Sequence, residues 1–318
     1  MTDWSRLWRI SQKERSKVME HISTQDIMAL GIGPEQCVDW VTESFRLKYE
    51  SILPPKISIH LREIDFFNTM PCLLPEAYDR FSVKVVSRIK GNNPSLRSDL
   101  WLYRSSSGEL LAHIDADWIT AMRTGAVAAL AAKTFECSTA GVYAFMGLGS
   151  TGHATMECLA PCLDGGKCVI RLLRYKDQAE RFMEEFRHRG LAFEICDTVE
   201  ELIDGADVVI SCITHADGLI CPRNSLFKPG VTVIPVHTRG FQNCDLFFDK
   251  VFADDRGHVE GFRYFSEFRQ FDEFSRVLLH QNPGRENDRE RILSYNIGLG
   301  LHDAFFAAKI YALLHRPQ

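Results

Sequence analysis

From Gly141 onward, short apolar segments alternate with segments of helical pattern, and this alternation constrains the fold more than any other feature of the chain. Strands are predicted at 141–146, 168–173, 191–196, 208–212 and 231–236, with helices at 178–189 and 198–204. Strands that alternate with helices form a parallel sheet whose two faces are both covered. The second half of the chain is therefore predicted to be an α/β domain built on a parallel sheet.

A glycine-rich turn directly follows the first of these strands. Its sequence, Gly147-Leu148-Gly149-Ser150-Thr151-Gly152, leads into a helical pattern. Glycines let the chain turn tightly and approach a pyrophosphate, which then sits on the N-terminus of the following helix. Such a turn alone is a weak signal and also fits a purely structural role, but its place between strand and helix favours a Rossmann-type dinucleotide site. The candidate cofactor-binding residues here are Gly147, Gly149, Ser150, Thr151 and Gly152.

The end of the second predicted strand bears on the identity of the cofactor. A carboxylate at this point grips the ribose 2′-hydroxyl of NAD, but here Leu173 is followed by Arg174-Tyr175-Lys176 and no carboxylate comes before Asp177. Arg174 and Lys176 have the charge to hold a 2′-phosphate, and arginine also stacks well on adenine. NADP(H) is therefore favoured, with NAD(H) as the alternative. The competing interpretation is a solvated basic loop.

The first half of the chain has a mixed pattern. Gly33-Pro34-Glu35 opens a helical segment, residues 82–87 alternate as a strand, and residues 100–114 predict a hairpin. A longer helix, capped by Asp117, is predicted over 117–135. This order of elements is typical of an α+β arrangement rather than a second parallel sheet.

The change of pattern near residue 138 predicts two domains. The first comprises residues 1–137, and the second, the Rossmann-type domain, comprises residues 138–287. The final stretch, 288–318, has a helical pattern without strand partners. We expect it to form a C-terminal helix that packs back on the first domain.

Composition and charge narrow the class of protein. The chain has 318 residues, 45% hydrophobic and 25% charged, which is typical of a globular protein. The net charge of −5 disfavours a nucleic-acid partner. Residues 6–17 are basic but lack the apolar region of a signal peptide, and the most apolar window, 126–132, is too short to span a membrane. We expect a cytoplasmic protein that does not bind membranes.

The ten cysteines are scattered along the chain. The closest pair is Cys158 and Cys162, on a predicted helix, and no pair of two-residue spacings suits a structural zinc site. Buried, reduced thiols fit this distribution better. No metal is expected.

Two cations stand at positions that the local pattern does not explain. Lys84 lies within a predicted strand whose neighbours are valines, an unusual place for a charge unless it faces a polar cleft. Arg123 lies in the first turns of a predicted helix, where a cation is electrostatically misplaced unless an anion joins it. Each cation either contacts a bound substrate or pairs with an internal carboxylate. Spacing alone does not decide between the two.

A series of short motifs resembles one known family. In order, they are Pro54-Pro55-Lys56-Ile57-Ser58, Met70-Pro71, Ser82-Val83-Lys84-Val85-Val86, Gly91-Asn92, Thr120-Ala121-Met122-Arg123-Thr124-Gly125-Ala126, the glycine turn, Gly205-Ala206-Asp207-Val208-Val209 and Tyr295-Asn296-Ile297-Gly298-Leu299-Gly300-Leu301-His302-Asp303. From about residue 20 to the C-terminus, this ordered set is similar to the ornithine cyclodeaminase/μ-crystallin family. The set is far more specific than any one of its members.

The resemblance implies a fold and several residue roles. The fold is α/β: a Rossmann-type parallel sheet domain plus a mixed α+β domain that binds substrate and forms a homodimer. Lys84 and Arg123 would face the substrate, Lys84 would take part in catalysis, and Arg123 and Thr124 would lie near the cofactor. Lys56 stands where many members carry an arginine that binds the substrate carboxylate, and an ammonium can replace it without the bidentate geometry. Thr214 joins the candidate cofactor-binding residues.

The sequence departs from the family pattern at one chemically important position. Cyclodeaminases carry an acidic residue shortly after the strand that corresponds to 231–236. Counting back from Asp245 places His237 there, or Thr238 if the loop is shifted. A histidine can move protons near neutral pH, although it can also be a hydrogen-bonded loop residue. Thr151 and Gly152 also replace a Gln and an Ala that are common in the family.

These features predict an NAD(P)-dependent oxidoreductase. It would transfer a hydride at the α-carbon of a small amino acid or cyclic imino acid. Lys56, Lys84 and Arg123 would hold the carboxylate, and His237 or a water would supply a proton to nitrogen. One alternative is ornithine cyclodeaminase, which forms proline and ammonia. The other is a non-catalytic NADPH-dependent binding protein.

Overall fold

Two β-sheets, each covered by helices, organise the chain. The computed structural model describes residues 19–62, 64–214, 219–221, 223–237, 241 and 244–316. The strands are β1 (Glu20–Ile22), β2 (Ile57–His60), β3 (Phe66–Leu73), β4 (Arg80–Arg88), β5 (Leu96–Arg104), β6 (Leu110–Asp115), β7 (Val142–Met146), β8 (Val169–Leu173), β9 (Ala192–Cys196), β10 (Val208–Ser211), β11 (Thr232–Pro235), β12 (Lys250–Ala253), β13 (Phe271–Glu273) and β14 (Ile292–Tyr295). The α-helices are α1 (Thr24–Ala29), α2 (Pro34–Arg46), α3 (Asp117–Phe135), α4 (Ser150–Leu159), α5 (Gln178–Phe186), α6 (Val199–Ile203), α7 (Phe274–Leu278) and α8 (Gly300–Leu314).

The eight-stranded sheet has the order β13-β12-β14-β11-β10-β7-β8-β9, and its pairings are all parallel. Every residue of β10, β11, β12 and β14 is buried, because helices and loops cover both faces of the sheet. This explains why these strands appear in the sequence as continuous apolar runs. The predicted parallel α/β sheet is confirmed. Its strand order reverses between β7 and β10, which is where open parallel sheets bind their ligands.

The six-stranded sheet has the order β1-β6-β5-β4-β3-β2 and is antiparallel except for the pairing of β1 with β6. Along β4, Ser82, Lys84 and Val86 are buried on one face, while Val83 and Val85 lie half-buried on the other. A lysine therefore occupies a core-facing position of a central strand. The mixed α+β character that was predicted for this half is confirmed.

The C-terminal stretch differs from the prediction. Residues 292–295 form strand β14, which pairs with β11 and β12 inside the parallel sheet, and the helix α8 begins only at Gly300. This four-residue segment, Ile-Leu-Ser-Tyr, is too short for its periodicity to separate strand from helix, and its partner strands are not adjacent to it in the sequence. Helix α8 packs against β3, β4, α2 and α3. The predicted division at 137/138 and 287/288 stays a prediction.

The start of helix α3 also differs from the prediction. Ala116 is the N-cap residue, so Asp117 is the first helical residue and not the cap. The Oδ1 atom of Asp117 accepts a hydrogen bond of 2.6 Å from the backbone N–H of Ser98, in the neighbouring strand. The predicted start of the helix is correct, but the predicted capping role of Asp117 is wrong. Its carboxylate accepts a hydrogen bond from Ser98 and not from the amides of the first helical turn.

Two further expectations concern the whole chain. All ten cysteines are free, and most are buried. No helix within the described ranges is long and apolar enough to cross a membrane.

Candidate active site

The glycine turn connects β7 to α4 at the point where the order of the parallel sheet reverses. Gly147 has a φ of +83°, and a Cβ atom there would lie 2.4 Å from the carbonyl carbon of Cys212, in the loop after β10. The two loops therefore touch, which only glycine allows. Gly149 is the N-cap of α4 and supplies no side-chain cap, so the first amides of the helix are open to an anionic ligand. This arrangement fits the pyrophosphate of a dinucleotide.

The remaining residues of the glycine turn form the beginning of helix α4. Ser150 and Thr151 form the first turn of α4, and Gly152 is buried directly behind them. Thr151 and Thr214 line a cavity described below. The structure thus brings the predicted cofactor-binding residues of the turn together with Thr214.

Arg174 and Lys176 follow the carboxyl end of β8. Arg174 is ion-paired with Asp197, at 2.5 Å between Nε and Oδ1, and also with Glu180. Lys176 has a φ of +52°, and its ammonium lies 5.3 Å from the ring centroid of Tyr175. Two carboxylates therefore already balance the charge of Arg174, which would have to exchange partners to bind a 2′-phosphate.

A cavity of about 280 Å³ lies between the two sheets. The six-stranded sheet and the adjacent helix α3 line one side with Lys56, His60, Phe66, Asn68, Met70, Val86, Arg88, Leu96, Thr120, Arg123 and Thr124. The carboxyl edge of the parallel sheet lines the other side with Thr151, Cys212, Ile213, Thr214, Val236, His237 and Ile297. The predicted substrate and cofactor residues thus meet across one space.

Lys84 and Arg123 share one carboxylate. The Nζ atom of Lys84 lies 2.7 Å from Oδ1 of Asp303, and Nε of Arg123 lies 3.1 Å from the same oxygen. Lys84 is 0% exposed and lies behind the cavity wall, where it also donates a 3.2 Å hydrogen bond to Oγ1 of Thr120. Thr120 and Arg123 line the cavity. The internal-carboxylate alternative therefore describes this structure, and a substrate role for Lys84 stays a prediction.

Burial and neighbouring charges perturb this cluster. Burial lowers the pKa of Lys84 to about 7, and Arg123 adds to this effect while Asp303 opposes it. Burial alone would raise the pKa of Asp303, but Arg123 and Lys84 together hold it below its usual value. Burial also lowers the pKa of Lys56. The carboxylate is therefore firmly ionised, whereas the lysines are the groups most easily changed by pH.

His237 follows β11 and lines the cavity. Its Nε2 atom lies 2.6 Å from Oγ of the buried Ser211, at the end of β10, and its ring stacks on Phe241. The histidine therefore faces the cavity while hydrogen bonded to its own sheet. The alternative residue, Thr238, lies outside the described residues.

The sequence did not assign a role to three residues that shape this site. Asp303 pairs with both cations, Thr120 links Lys84 to the cavity, and Gly298 makes room for Arg123. Gly298 has a φ of +104°, and a Cβ atom there would lie 2.3 Å from Nη1 of Arg123. Gly298 and Asp303 both belong to the motif Tyr295-Asn296-Ile297-Gly298-Leu299-Gly300-Leu301-His302-Asp303, which supported the family resemblance. That motif was the available signal for these two residues, although it assigned a role to neither.

A second group of polar side chains lies on the other face of the six-stranded sheet. His21, His113 and Asp115 offer ligand-type atoms within 4.8 Å of one another. His21 bonds Asp115 and His113 bonds Asp99, each at 2.9 Å. These imidazole–carboxylate pairs account for the arrangement without any ion.

The sequence pattern of the ornithine cyclodeaminase/mu-crystallin family matches residues 16–316. The chain belongs to this family. Among its relatives, the nodulation efficiency protein NfeD of Rhizobium meliloti is 28% identical over 81% of this chain and 83% of its own. The ketimine reductase mu-crystallin of Mus musculus is 30% identical over 53% of each chain. The fold is that of Thermococcus litoralis Delta(1)-pyrroline-2-carboxylate reductase, solved with NADH and L-proline, with a TM-score of 0.80, 22% identity and coverage of 93% and 98%.

Proposed function

We propose that this chain is an NAD(P)-dependent reductase or dehydrogenase that acts at the α-carbon of a small amino or imino acid. The observation that carries the proposal is the cavity, where the glycine-turn edge of the parallel sheet faces the cations Lys56 and Arg123. Family relatives named as ketimine and pyrroline-carboxylate reductases support the same chemistry. A bound nicotinamide cofactor would supply or accept the hydride.

The side chains that line the cavity would bind the substrate and transfer the proton. Lys56 and Arg123 hold the substrate carboxylate. Lys84 acts either indirectly, through its contacts with Thr120 and Asp303, or directly, by moving into the cavity to contact the substrate. His237, or a water that it holds, delivers the proton to the imine nitrogen. Such positioning of the reacting carbon supplies much of the rate.

A substrate screen tests the proposal. Ornithine, alanine, proline and cyclic imines are offered with NADH or NADPH and with the oxidised cofactors, and absorbance of the reduced nicotinamide is followed. We expect net oxidation of NAD(P)H with at least one imine. Release of ammonia and proline from ornithine with no net redox change would identify a cyclodeaminase instead, and ligand binding without turnover would identify a binding protein.

For the cofactor, we propose a preference for NADPH that is modest in size. Arg174 is 43% exposed and already paired with Asp197, so its gain from a 2′-phosphate is that of a surface ion pair. Such exposed pairs contribute little, so we expect a difference in affinity of no more than about fivefold. Fluorescence titration should show tighter NADPH binding, which Arg174→Ala removes and the exposed Arg181→Ala on helix α5 retains. Equal or tighter binding of NADH by the wild type would contradict this preference.

The pH profile tests the proton donor. If His237 protonates the substrate nitrogen, the rate of imine reduction should fall as pH rises, because only the protonated imidazole can donate a proton. His237→Gln should lower the rate and remove this dependence, whereas the exposed His188→Gln should change neither. Because burial lowers the pKa of Lys84 to about 7, a pH dependence that survives in His237→Gln would assign the titration to Lys84 or another group. His237→Asp should not improve reduction.

The remaining expectations also stay predictions. They are the homodimer, the cytoplasmic location and the division into a substrate domain and a cofactor domain.

A further inference from the structure

Asp254 is a buried carboxylate outside the cavity, and the proposed chemistry gives it no role. It directly follows β12, and its backbone N–H donates a 3.0 Å hydrogen bond to the carbonyl oxygen of Tyr295, at the end of β14. Its side chain is 0% exposed and does not line the cavity. Burying a charged group is costly unless the group is paired and hydrogen bonded, so the partners of Asp254 indicate what it holds in place.

Asp254 bonds to three further groups. Nδ1 of His258 lies 2.9 Å from Oδ1, and the backbone N–H of Gly298 donates a 2.5 Å hydrogen bond to Oδ2. The Nζ atom of Lys48 donates a 2.7 Å hydrogen bond to the carbonyl oxygen of Asp254. Burial alone would raise the pKa of Asp254, but His258, the Gly298 amide and Lys48 hold that pKa below its usual value. The carboxylate is therefore ionised, and one of its oxygens is bonded to the loop between β14 and α8.

Gly298, in that loop, packs directly against Arg123. A Cβ atom at position 298 would lie 2.3 Å from Nη1, 3.1 Å from Cζ and 3.2 Å from Nη2 of Arg123. The φ of +104° at Gly298 is one that side-chain-bearing residues rarely adopt. The backbone here thus forms one wall of the space that the guanidinium occupies. A shift of Gly298 would move the guanidinium or leave a gap beside it.

The guanidinium of Arg123 is therefore held at two points. Its Nε atom donates a 3.1 Å hydrogen bond to Oδ1 of Asp303, and Gly298 packs against its terminal nitrogens. Arg123 also lines the cavity, where we propose that it binds the substrate carboxylate. An arginine binds a carboxylate best with its planar group in a fixed orientation. The contact with Gly298 is thus one of two that set this orientation.

We propose that Asp254 is a positioning residue for substrate binding: by holding the amide of Gly298, it fixes the backbone against which the Arg123 guanidinium packs, and so keeps that guanidinium in place for the substrate carboxylate. This inference rests on the proposed function for its kinetic test. Asp254 takes no part in the bond changes and acts on the substrate only through Gly298 and Arg123.

Two substitutions at Asp254 separate the hydrogen bond from the charge. Asp254→Leu fills the buried space without an acceptor, whereas Asp254→Asn keeps an oxygen that can accept from the Gly298 N–H. For an imine that the substrate screen identifies, Asp254→Leu should lower kcat/KM by about ten- to a hundredfold, mainly through KM, as for a lost charge-assisted contact. Asp254→Asn should keep most of the wild-type value. A wild-type KM in Asp254→Leu, or equal losses in both variants, would overturn the inference. Asp254→Ala replaces Asp254→Leu if the latter does not fold.

Gly298→Ala tests the same contact from the other side. Its Cβ atom meets Nη1 of Arg123 and leaves the Asp254 carboxylate intact. We expect a rise in KM of the same size as in Asp254→Leu, with activity expressed per native molecule. Because both changes act through one contact, the double variant should lose no more than the more impaired single variant. Fully additive losses would contradict a shared route through Gly298.

Asp255→Leu is the matched control. Asp255 is the next residue and pairs with the same Lys48, at 2.9 Å, but its Oδ1 atom accepts a 2.8 Å hydrogen bond from the N–H of Gly257, in its own turn. Its loss should lower stability and leave KM unchanged. A rise in KM as large as in Asp254→Leu would assign the effect to the ion pairs of Lys48 and would overturn the role of the Gly298 contact.

Crystal structures of the Asp254 variants separate the inference from the proposed function, because they need no turnover. We expect the guanidinium of Arg123 to be displaced in Asp254→Leu and to keep its wild-type position in Asp254→Asn. This result would support the positioning role even if no imine is reduced, in which case only the proposed reductase activity fails. An unmoved guanidinium in Asp254→Leu would reject the inference, whatever the activity.

Discussion

Replacing Asp303 by asparagine should destabilise the native protein by about 3–5 kcal/mol, because it leaves buried charges without their anion. Asp303 is 0% exposed and is the carboxylate that Lys84 and Arg123 share. Denaturant unfolding, followed by the change in midpoint at constant slope, measures the effect.

The pH dependence of this loss has a defined sign. Without Asp303, the pKa of Lys84 should fall further below 7, so the native variant holds fewer protons than the unfolded chain over a wider pH range. Its stability should therefore rise with pH, and the variant should be weaker at pH 6 than at pH 9 relative to the wild type.

A second variant separates charge from packing. In Asp303→Asn, Lys84 and Arg123 both lose their shared carboxylate. Adding Lys84→Met removes one of these two unpaired cations and should recover part of the lost stability. If Asp303→Asn alone costs less than about 1 kcal/mol, the carboxylate does not stabilise the cluster, and the cations are solvated through the cavity.

Replacing Lys84 by methionine should abolish most of the turnover while leaving cofactor affinity unchanged. If Lys84 contacts the substrate during turnover, the loss of this charge-assisted contact lowers kcat/KM by about ten- to a hundredfold. A larger fall is expected if the side chains of Thr120 and Arg123 also lose their positions. The glycine turn, where we propose that the cofactor binds, lies on the other side of the cavity, so the affinity for NAD(P)H should be unaffected. Activity is expressed per native molecule, measured at a temperature where the variant is folded.

Lys250 provides the matched control. It is another buried, ion-paired lysine, 2.5 Å from Glu286, but it lies on β12 of the parallel sheet, where it does not line the cavity. Lys250→Met should cost stability without changing turnover. If both variants lose activity only in proportion to stability, or if Lys84→Met is fully active, Lys84 is a structural ion-paired residue.

Local pattern was sufficient for five of the eight strands of the parallel sheet, β7 to β11. Apolar runs separated by helical segments predicted these strands and placed the glycine turn between the first strand and its helix, because both features depend on residues adjacent in the chain. The binding of a cofactor at that turn stays a prediction. Lys84 and Arg123 stood out for a related reason: each is a charge where the local pattern has no place for one.

Only the tertiary structure decided which groups Lys84 and Arg123 contact. Asp303 lies 219 residues from Lys84 and 180 from Arg123, and no spacing rule joins them. Strand β14 was misassigned because its four residues, Ile-Leu-Ser-Tyr, form a strand only when β11 and β12 are present on either side. His60, Phe66 and Arg88 likewise lie in one row only through strand register, which fixes which distant side chains share a face. The sequence by itself thus determined the strands β7 to β11 and the chemical groups of the site, and the pairing of distant strands decided which groups face one another.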